Sequence, residues 1–313
     1  MNPVHPEVSS LHEVTVNLPK SFDQVLMTWP ELKSLLESFA HRDPGTFMHS
    51  VAVHHTATRL AQDLFLRLKL SFSAQQSVFF RAPFWLLHDI GKTAADIDSE
   101  VAKKLVHPAD RIKRPSYDRA RHWLHPQMGG DLLRIWAKTT SPRLQPFVQK
   151  WAFLAHIHDR QLNKYLIDFQ TQVPNWSDTF SLFLFSLCDT AMAMGLPRPN
   201  KDQVYTQDQI RQVLHKTNLK ESVMSGLFPN ENLNQLRHYI LASIFSSLSE
   251  LQKSHPPSAW TNPVGFVNKN FNQNLTESQR KLEPLEDLIV TTWRERERNW
   301  EKTMLTMDKS GVF

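Results

Sequence analysis

The chain has 313 residues, 41% of them hydrophobic, with a formal net charge of +5, a pI near 9.3 and a mean hydropathy of −0.41. No run of about 20 apolar residues occurs, so no helical membrane span is expected. One cysteine, Cys188, excludes an internal disulfide and a zinc site built on several thiolates.

Residues 1–20 lack a clear period, hold Pro3, Pro6 and Pro19, and read as an arm or short cap. They have no apolar segment of the signal-peptide kind. Together with the low cysteine usage this makes a cytoplasmic protein the expectation. Phe22, Val25, Leu26, Trp29, Leu32, Leu35, Leu36 and Phe39 recur at spacings of three and four and predict a helix over 21–40, with Pro30 at a break or first turn. Arg42-Asp43-Pro44-Gly45 is turn chemistry. A long helix is predicted from Thr46, its inner stripe formed by Val51, His55, Thr58, Ala61, Leu64, Phe65 and Leu68.

An apolar run from Val78 to Leu87 ends at His88-Asp89. A polar stretch to about Arg121 follows, interrupted by Pro108 and Pro115, with a short helix around Asp98 to Leu105. Helices are predicted again over 123–136 and over Phe147 to Leu166, then a loop over 167–178. Phe180 to Met194 is strongly apolar, with Asp189 as its one charged residue. Pro197 to Lys201 marks a soft boundary. Helices resume over 202–252, a loop spans 253–275, and Thr276 with Gln279 has the spacing of a capping box. A last helix is predicted at about 285–307, with Trp293 and Trp300 on its apolar face. Long helical periods without alternating β-branched stretches predict an all-α fold. The expected divisions are an arm and helix over 1–44, a core over 45–200, and a C-terminal helical region over 201–313 that packs on that core.

The chemistry gathers in the middle of the chain. Of fifteen histidines, ten lie between His41 and His158, and histidine is the commonest metal ligand. His88 and Asp89 are adjacent, and adjacent side chains on a helix point about 100° apart. Both can face one centre only from a distorted turn or a helix end, which Gly91 could help to form. A buried carboxylate requires compensation, which a divalent cation would provide. His49, His125, His156 or His158, and Asp189 are the matching candidates on other helices, and ligands from facing helices are a known way to build a metal site. His156 and His158 lie about 200° apart on a helix, so one regular helix cannot aim both inward. A lone Asp189 in an apolar helix is hard to explain as packing. Lys92, one turn after the pair, is either a solvated lysine or a phosphate-facing charge, and Arg160 is similar. His54, His55, His107 and His122 read as surface or packing residues. The same holds for Lys103, Lys104 and the basic stretch Arg111 to Arg121, a solvated loop unless it edges the site. Cys188 and the Trp293/Trp300 stripe read as core.

His49, the run Leu86-Leu87-His88-Asp89-Ile90-Gly91-Lys92 and Asp189 together resemble the HD superfamily of metal-dependent phosphohydrolases. The resemblance covers roughly residues 45–195. Its closest match is the HD-GYP branch: His49-Ser50 with Val53 and Ala57, His125-Pro126 with Gly129, and Asp189 followed by Met192-Ala193-Met194 are similar to that branch's segments. Two departures stand out. His156-Ile157-His158-Asp159-Arg160 replaces adjacent histidines, and no Gly-Tyr-Pro occurs over 161–176. A looser resemblance joins Tyr117, Arg121 and His125 to HD-type conjugative relaxases, which act on single-stranded DNA.

The resemblance implies hydrolysis of a phosphomonoester or phosphodiester, in a nucleotide or nucleic acid, by hydroxide generated on a divalent metal. It implies one or two ions of Mn, Fe, Mg, Zn or Co, held by His49, His88, Asp89, His125, His158 (with His156 as the alternative) and Asp189. Asp89 would bridge if two ions are present, and Lys92 would face the phosphate or orient the water. Such a protein would take a phosphorylated small molecule or nucleic acid as its partner. The altered segment at 156–160 keeps open a non-catalytic protein of the same fold that binds a nucleotide or a partner and regulates it.

Overall fold

The computed structural model describes residues 16–18, 22–94, 117–159, 176–197, 204–265 and 283–309. The short helix expected at 98–105, Lys103, Lys104, His107, Arg111, Arg160 and the expected capping box at 276–279 lie outside them. Every regular element among the described residues is helical, and the fold is all-α.

The first predicted helix is divided. Pro30 lacks an N–H to continue the ladder, so α1 (Phe22–Thr28) gives way to a 3₁₀ turn over Pro30–Leu32 before α2 (Lys33–Arg42). The predicted turn at 42–45 is an N-terminal cap. The Asp43 carboxylate accepts from Thr46 N at 3.0 Å, and Pro44 occupies the first turn. This starts α3 (Pro44–Arg67), 24 residues long and therefore about 36 Å. Its end is a left-handed Lys69, φ 48°, with Leu70 N donating back to Phe65 O at 3.1 Å. The succession continues with α4 (Phe72–Phe79), α5 (Pro83–Leu87), α6 (Gly91–Ala94), α7 (Tyr117–Ala137), α8 (Gln145–Ile157) and α9 (Trp176–Gly195). The expected loop over 167–178 therefore gives way to helix by Trp176.

One apolar core runs through these helices. α3 packs on α5 and α9, and α7 packs on both α6 and α8. Phe84, Trp85 and Phe185 are fully buried where α5 meets α9, and Phe180 and Phe183, also fully buried, pack against Phe228. Each such ring contributes about 1.5–3 kcal/mol by leaving water. The indole N–H groups find backbone acceptors between helices: Trp85 Nε1 donates to Ser181 O at 3.1 Å and Trp151 Nε1 to Phe80 O at 2.7 Å.

The later helices close over this frame: α10 (Gln207–Thr217), α11 (Glu221–Leu227), α12 (Leu233–Ser254), α13 (Pro257–Thr261) and α14 (Glu283–Lys309). Thr206 and Gln209 form a reciprocal capping box at the start of α10. α12 lies on α3, and Ser243 Oγ donates to Asp63 Oδ2 at 2.6 Å. α14 crosses α7 and α2, and the Trp293 indole donates to Ala94 O at 2.9 Å at the end of α6. α13 falls inside the stretch expected to be loop over 253–275.

Asp178, in the first turn of α9, is fully buried between two cations, one from the turn between α4 and α5 and one from α8. Its carboxylate accepts from Arg81 Nε and, at 2.8 Å, from Lys150 Nζ. Arg81 is itself buried, and removing one partner of a buried pair leaves an uncompensated charge. Asp178→Ala is expected to lower stability by about 3 kcal/mol, read as a shift in the urea denaturation midpoint. An unchanged midpoint would show that Arg81 reaches solvent without it.

Candidate metal centre

The centre is built around the turn between α5 and α6. Residues 87–93 fold through tight i to i+3 bonds: Ile90 N to Leu87 O at 3.1 Å, Lys92 N to Asp89 O at 2.9 Å, and Thr93 N to Ile90 O at 3.1 Å. This tighter winding lets the adjacent His88 and Asp89 face one region. Both are buried, at 1% and 2% exposure.

Glycine has a different part here from the one its sequence position suggested. Gly91 does not adopt a left-handed backbone; it allows a crossing of two helices. A Cβ on Gly91 would stand 2.0 Å from His125 O and 2.4 Å from Gly129 N, so α6 and α7 touch backbone to backbone. On the same helix, a Cβ on Gly130 would stand 2.7 Å from His156 Cβ and 2.9 Å from Ala152 O of α8. Gly91 and Gly130 thus bring α6 and α8 against α7, and with them Asp89, His125 and His158.

Two groups of three side chains result, each with its ligand-capable atoms within 4.8 Å of one another: His49, His88 and Asp189, and Asp89, His125 and His158. In the first, His49 Nε2 from α3 lies 2.7 Å from Asp189 Oδ1 of α9, and His88 Nε2 lies 3.9 Å from the same oxygen. In the second, His125 Nε2 lies 3.0 Å from both Asp89 Oδ1 and His158 Nε2, and His158 Nε2 lies 3.8 Å from Asp89 Oδ1. Asp89 joins the two: Oδ1 turns to His125 and His158, while Oδ2 lies 3.3 Å from His88 Nε2 and 2.5 Å from Lys92 Nζ.

The histidine tautomers are fixed from outside. His88 Nδ1 donates to Trp85 O at 3.0 Å, and His158 Nδ1 donates to Ala155 O at 2.6 Å. In the neutral ring the proton then stays at Nδ1 and Nε2 turns its lone pair into the cluster, the orientation a metal ligand needs. His88 Nε2 is buried, 3.3 Å from Asp89 Oδ2 and 3.9 Å from Asp189 Oδ1, and makes no well-aligned hydrogen bond. A ring nitrogen so placed, between two carboxylates, fits a bound cation, whether a proton or a metal ion. Phe185, one turn before Asp189 on α9, lies under His88 and His158 at ring distances of 4.7 and 5.4 Å and keeps the floor apolar.

Charge follows from this crowding. Burial alone would raise the Asp89 carboxyl, but Lys92, His88 and His125 outweigh it and hold it well below the usual carboxylate range. Asp189 is likewise pulled down by His49 and His88 against its burial. His88 is raised, because Asp89 and Asp189 overcome its burial. His158 is pushed well below the ordinary imidazole value by burial and by its neighbours His125 and His88. Burial, reinforced by Asp189, raises the Cys188 thiol.

His156 belongs to neither group. Half-buried on α8, it rests against Gly130, whereas His158, the residue that ends the helix, turns into the centre. His54 is buried beside the Trp85 ring, and His55 lies 3.9 Å from Glu250 on α12. The side chains of Tyr117, Arg121, His122 and Trp300 are outside the described set.

Asp159 is the nearby acid not picked out from sequence as a candidate. Its Oδ2 lies 3.6 Å from His125 Nε2 and its Oδ1 lies 3.5 Å from His158 Nε2, and its side chain is 52% exposed. Burial on its inner side, with Asp89 and Asp189 near, raises its carboxyl above the ordinary value although His125 opposes the shift. The sequence signal was its place directly after His158. No family model, curated protein or solved structure matches this chain.

Proposed function

We propose that this chain is a metal-dependent phosphohydrolase, cleaving a phosphomonoester or phosphodiester of a nucleotide or nucleic acid. The observation that carries the reading is the convergence of four imidazoles and two carboxylates, from four helices and one interhelical turn, on the two sides of Asp89. His49, His88 and Asp189 would hold one divalent ion, and His125 and His158 a second, with Asp89 between them. Such ions, when bound, supply Lewis acidity toward a phosphoryl oxygen and a water acidic enough to ionise near neutral pH.

The chain's own residues prepare that chemistry. Asp89 stays ionised because Lys92 and the surrounding imidazoles favour its charged form. Trp85 O and Ala155 O lock the His88 and His158 rings, so each Nε2 already faces the cluster before a ligand arrives. Lys92 places a cation at 2.5 Å from Asp89 Oδ2, where it also offers positive charge to a phosphate. Phe185 keeps water from the floor of the cluster, which strengthens every electrostatic contact above it. The net charge of +5 favours approach of an anionic substrate.

The direct test is hydrolysis of p-nitrophenyl phosphate and bis(p-nitrophenyl) phosphate by purified protein loaded with Mn²⁺ or Fe²⁺, with and without chelator. Turnover that chelation abolishes and Mn²⁺ restores is the expected result. A protein that retains no divalent ion and cleaves neither ester removes this reading. Tight, steeply salt-dependent binding of single-stranded DNA in its place would identify a DNA-handling protein.

A further inference from the structure

From the placement of Asp159 we infer that it is a ligand of the second ion, making the two halves of the centre equivalent in donor set; this rests on the metal-dependent reading above. With Asp89 shared, the first half has two imidazoles, from His49 and His88, and two carboxylates, from Asp189 and Asp89. The second has two imidazoles, from His125 and His158, and only the shared carboxylate. Asp159 supplies the missing one.

Its geometry is that of a group facing a common point with those imidazoles. The two carboxylate oxygens lie 3.5 and 3.6 Å from the two Nε2 atoms. His158 Nε2 is held as an acceptor by the Nδ1 bond to Ala155 O, so it offers Asp159 no proton when neutral. A carboxylate oxygen and an imidazole lone pair side by side repel unless something positive lies between them. A divalent cation satisfies both.

The half-exposed side chain has further consequences. Asp159 would close the second half from the solvent side, while Asp89 closes it from below at 3% exposure. Charge also changes. Asp89, Asp189 and Asp159 are three carboxylates against two divalent ions, which leaves one net positive charge beside Lys92 for a phosphate. Mixed imidazole and carboxylate donors at both positions favour Mn²⁺ or Fe²⁺ over ions that prefer thiolate.

The test is metal binding, independent of turnover. Full-length protein is stripped by chelation and titrated with Mn²⁺, following stoichiometry by calorimetry and spin coupling between ions by electron paramagnetic resonance. Wild type is expected to bind two ions and show the coupled signal. Asp159→Asn is expected to bind one ion at wild-type affinity and the second at least about tenfold more weakly, losing the coupled signal at two equivalents. Asp189→Asn should weaken the other ion instead. Asp159→Asn that binds two coupled ions as tightly as wild type overturns the assignment and leaves the phosphohydrolase reading standing. Wild type that binds no Mn²⁺ overturns both. Because Asp159 is exposed, circular dichroism of the variant should match wild type.

Discussion

Gly91→Ala is expected to destabilise the protein by about 3 kcal/mol or more, the upper range for overpacking, because the atoms it meets are main chain and cannot rotate away. The added Cβ would stand 2.0 Å from His125 O, 2.4 Å from Gly129 N and 2.9 Å from Gly129 Cα. The gain in helix propensity on replacing glycine, about 1 kcal/mol, is too small to offset this. If the chain folds at all, α6 and α7 must separate, moving Asp89 away from His125. A lowered denaturation midpoint with loss of bound Mn²⁺ is the expected pair of results. Gly45→Ala is the internal comparison: its Cβ would meet Pro263 Cγ at 3.7 Å, an ordinary contact, so stability should hold or rise slightly. Equal stability of the Gly91 variant and wild type would mean that the two helices are not in backbone contact.

Asp89→Asn is expected to have the largest effect on chemistry. It keeps the side chain's volume and removes the one carboxylate that faces both halves. Binding of both ions should fail, and ester hydrolysis should fall by about 10³-fold or more, as when a preorganised electrostatic group is lost. The same change leaves Lys92, only 14% exposed, without its anion, which should reduce stability by about 1–3 kcal/mol. The two effects separate in a double variant. Asp89→Asn with Lys92→Met should recover the denaturation midpoint and still bind no metal. Retention of two ions by Asp89→Asn would place the centre elsewhere.

The helices themselves are legible from apolar spacing because a buried stripe repeats within one element. That is how α3, α7 and α9 can be found without knowing their neighbours. Contacts between elements are less legible. His156 and His158 are distinguishable in sequence only as pointing apart; which one faces inward depends on where Gly130 lets α8 rest. Asp178 is invisible for a related reason: its partners, Arg81 and Lys150, come from other elements. Gly91 stands in the sequence as a turn former, yet its requirement comes from residues 125 and 129, more than thirty positions away. Asp159 escapes because an acid at a helix end is ordinarily solvated, and only the nearness of two ring nitrogens marks it out.

The bond between His49 and Asp189 spans 140 positions of chain. Loop closure over that distance gains nothing until the intervening helices are in place. The first group of donors therefore forms only once α3 and α9 have come together, and an ion bound there would report on that assembled frame. By mass action such an ion at one hundred times its dissociation constant would stabilise the native state by about 2.7 kcal/mol. Metal supply would then set the stability of the folded chain as well as any activity it has.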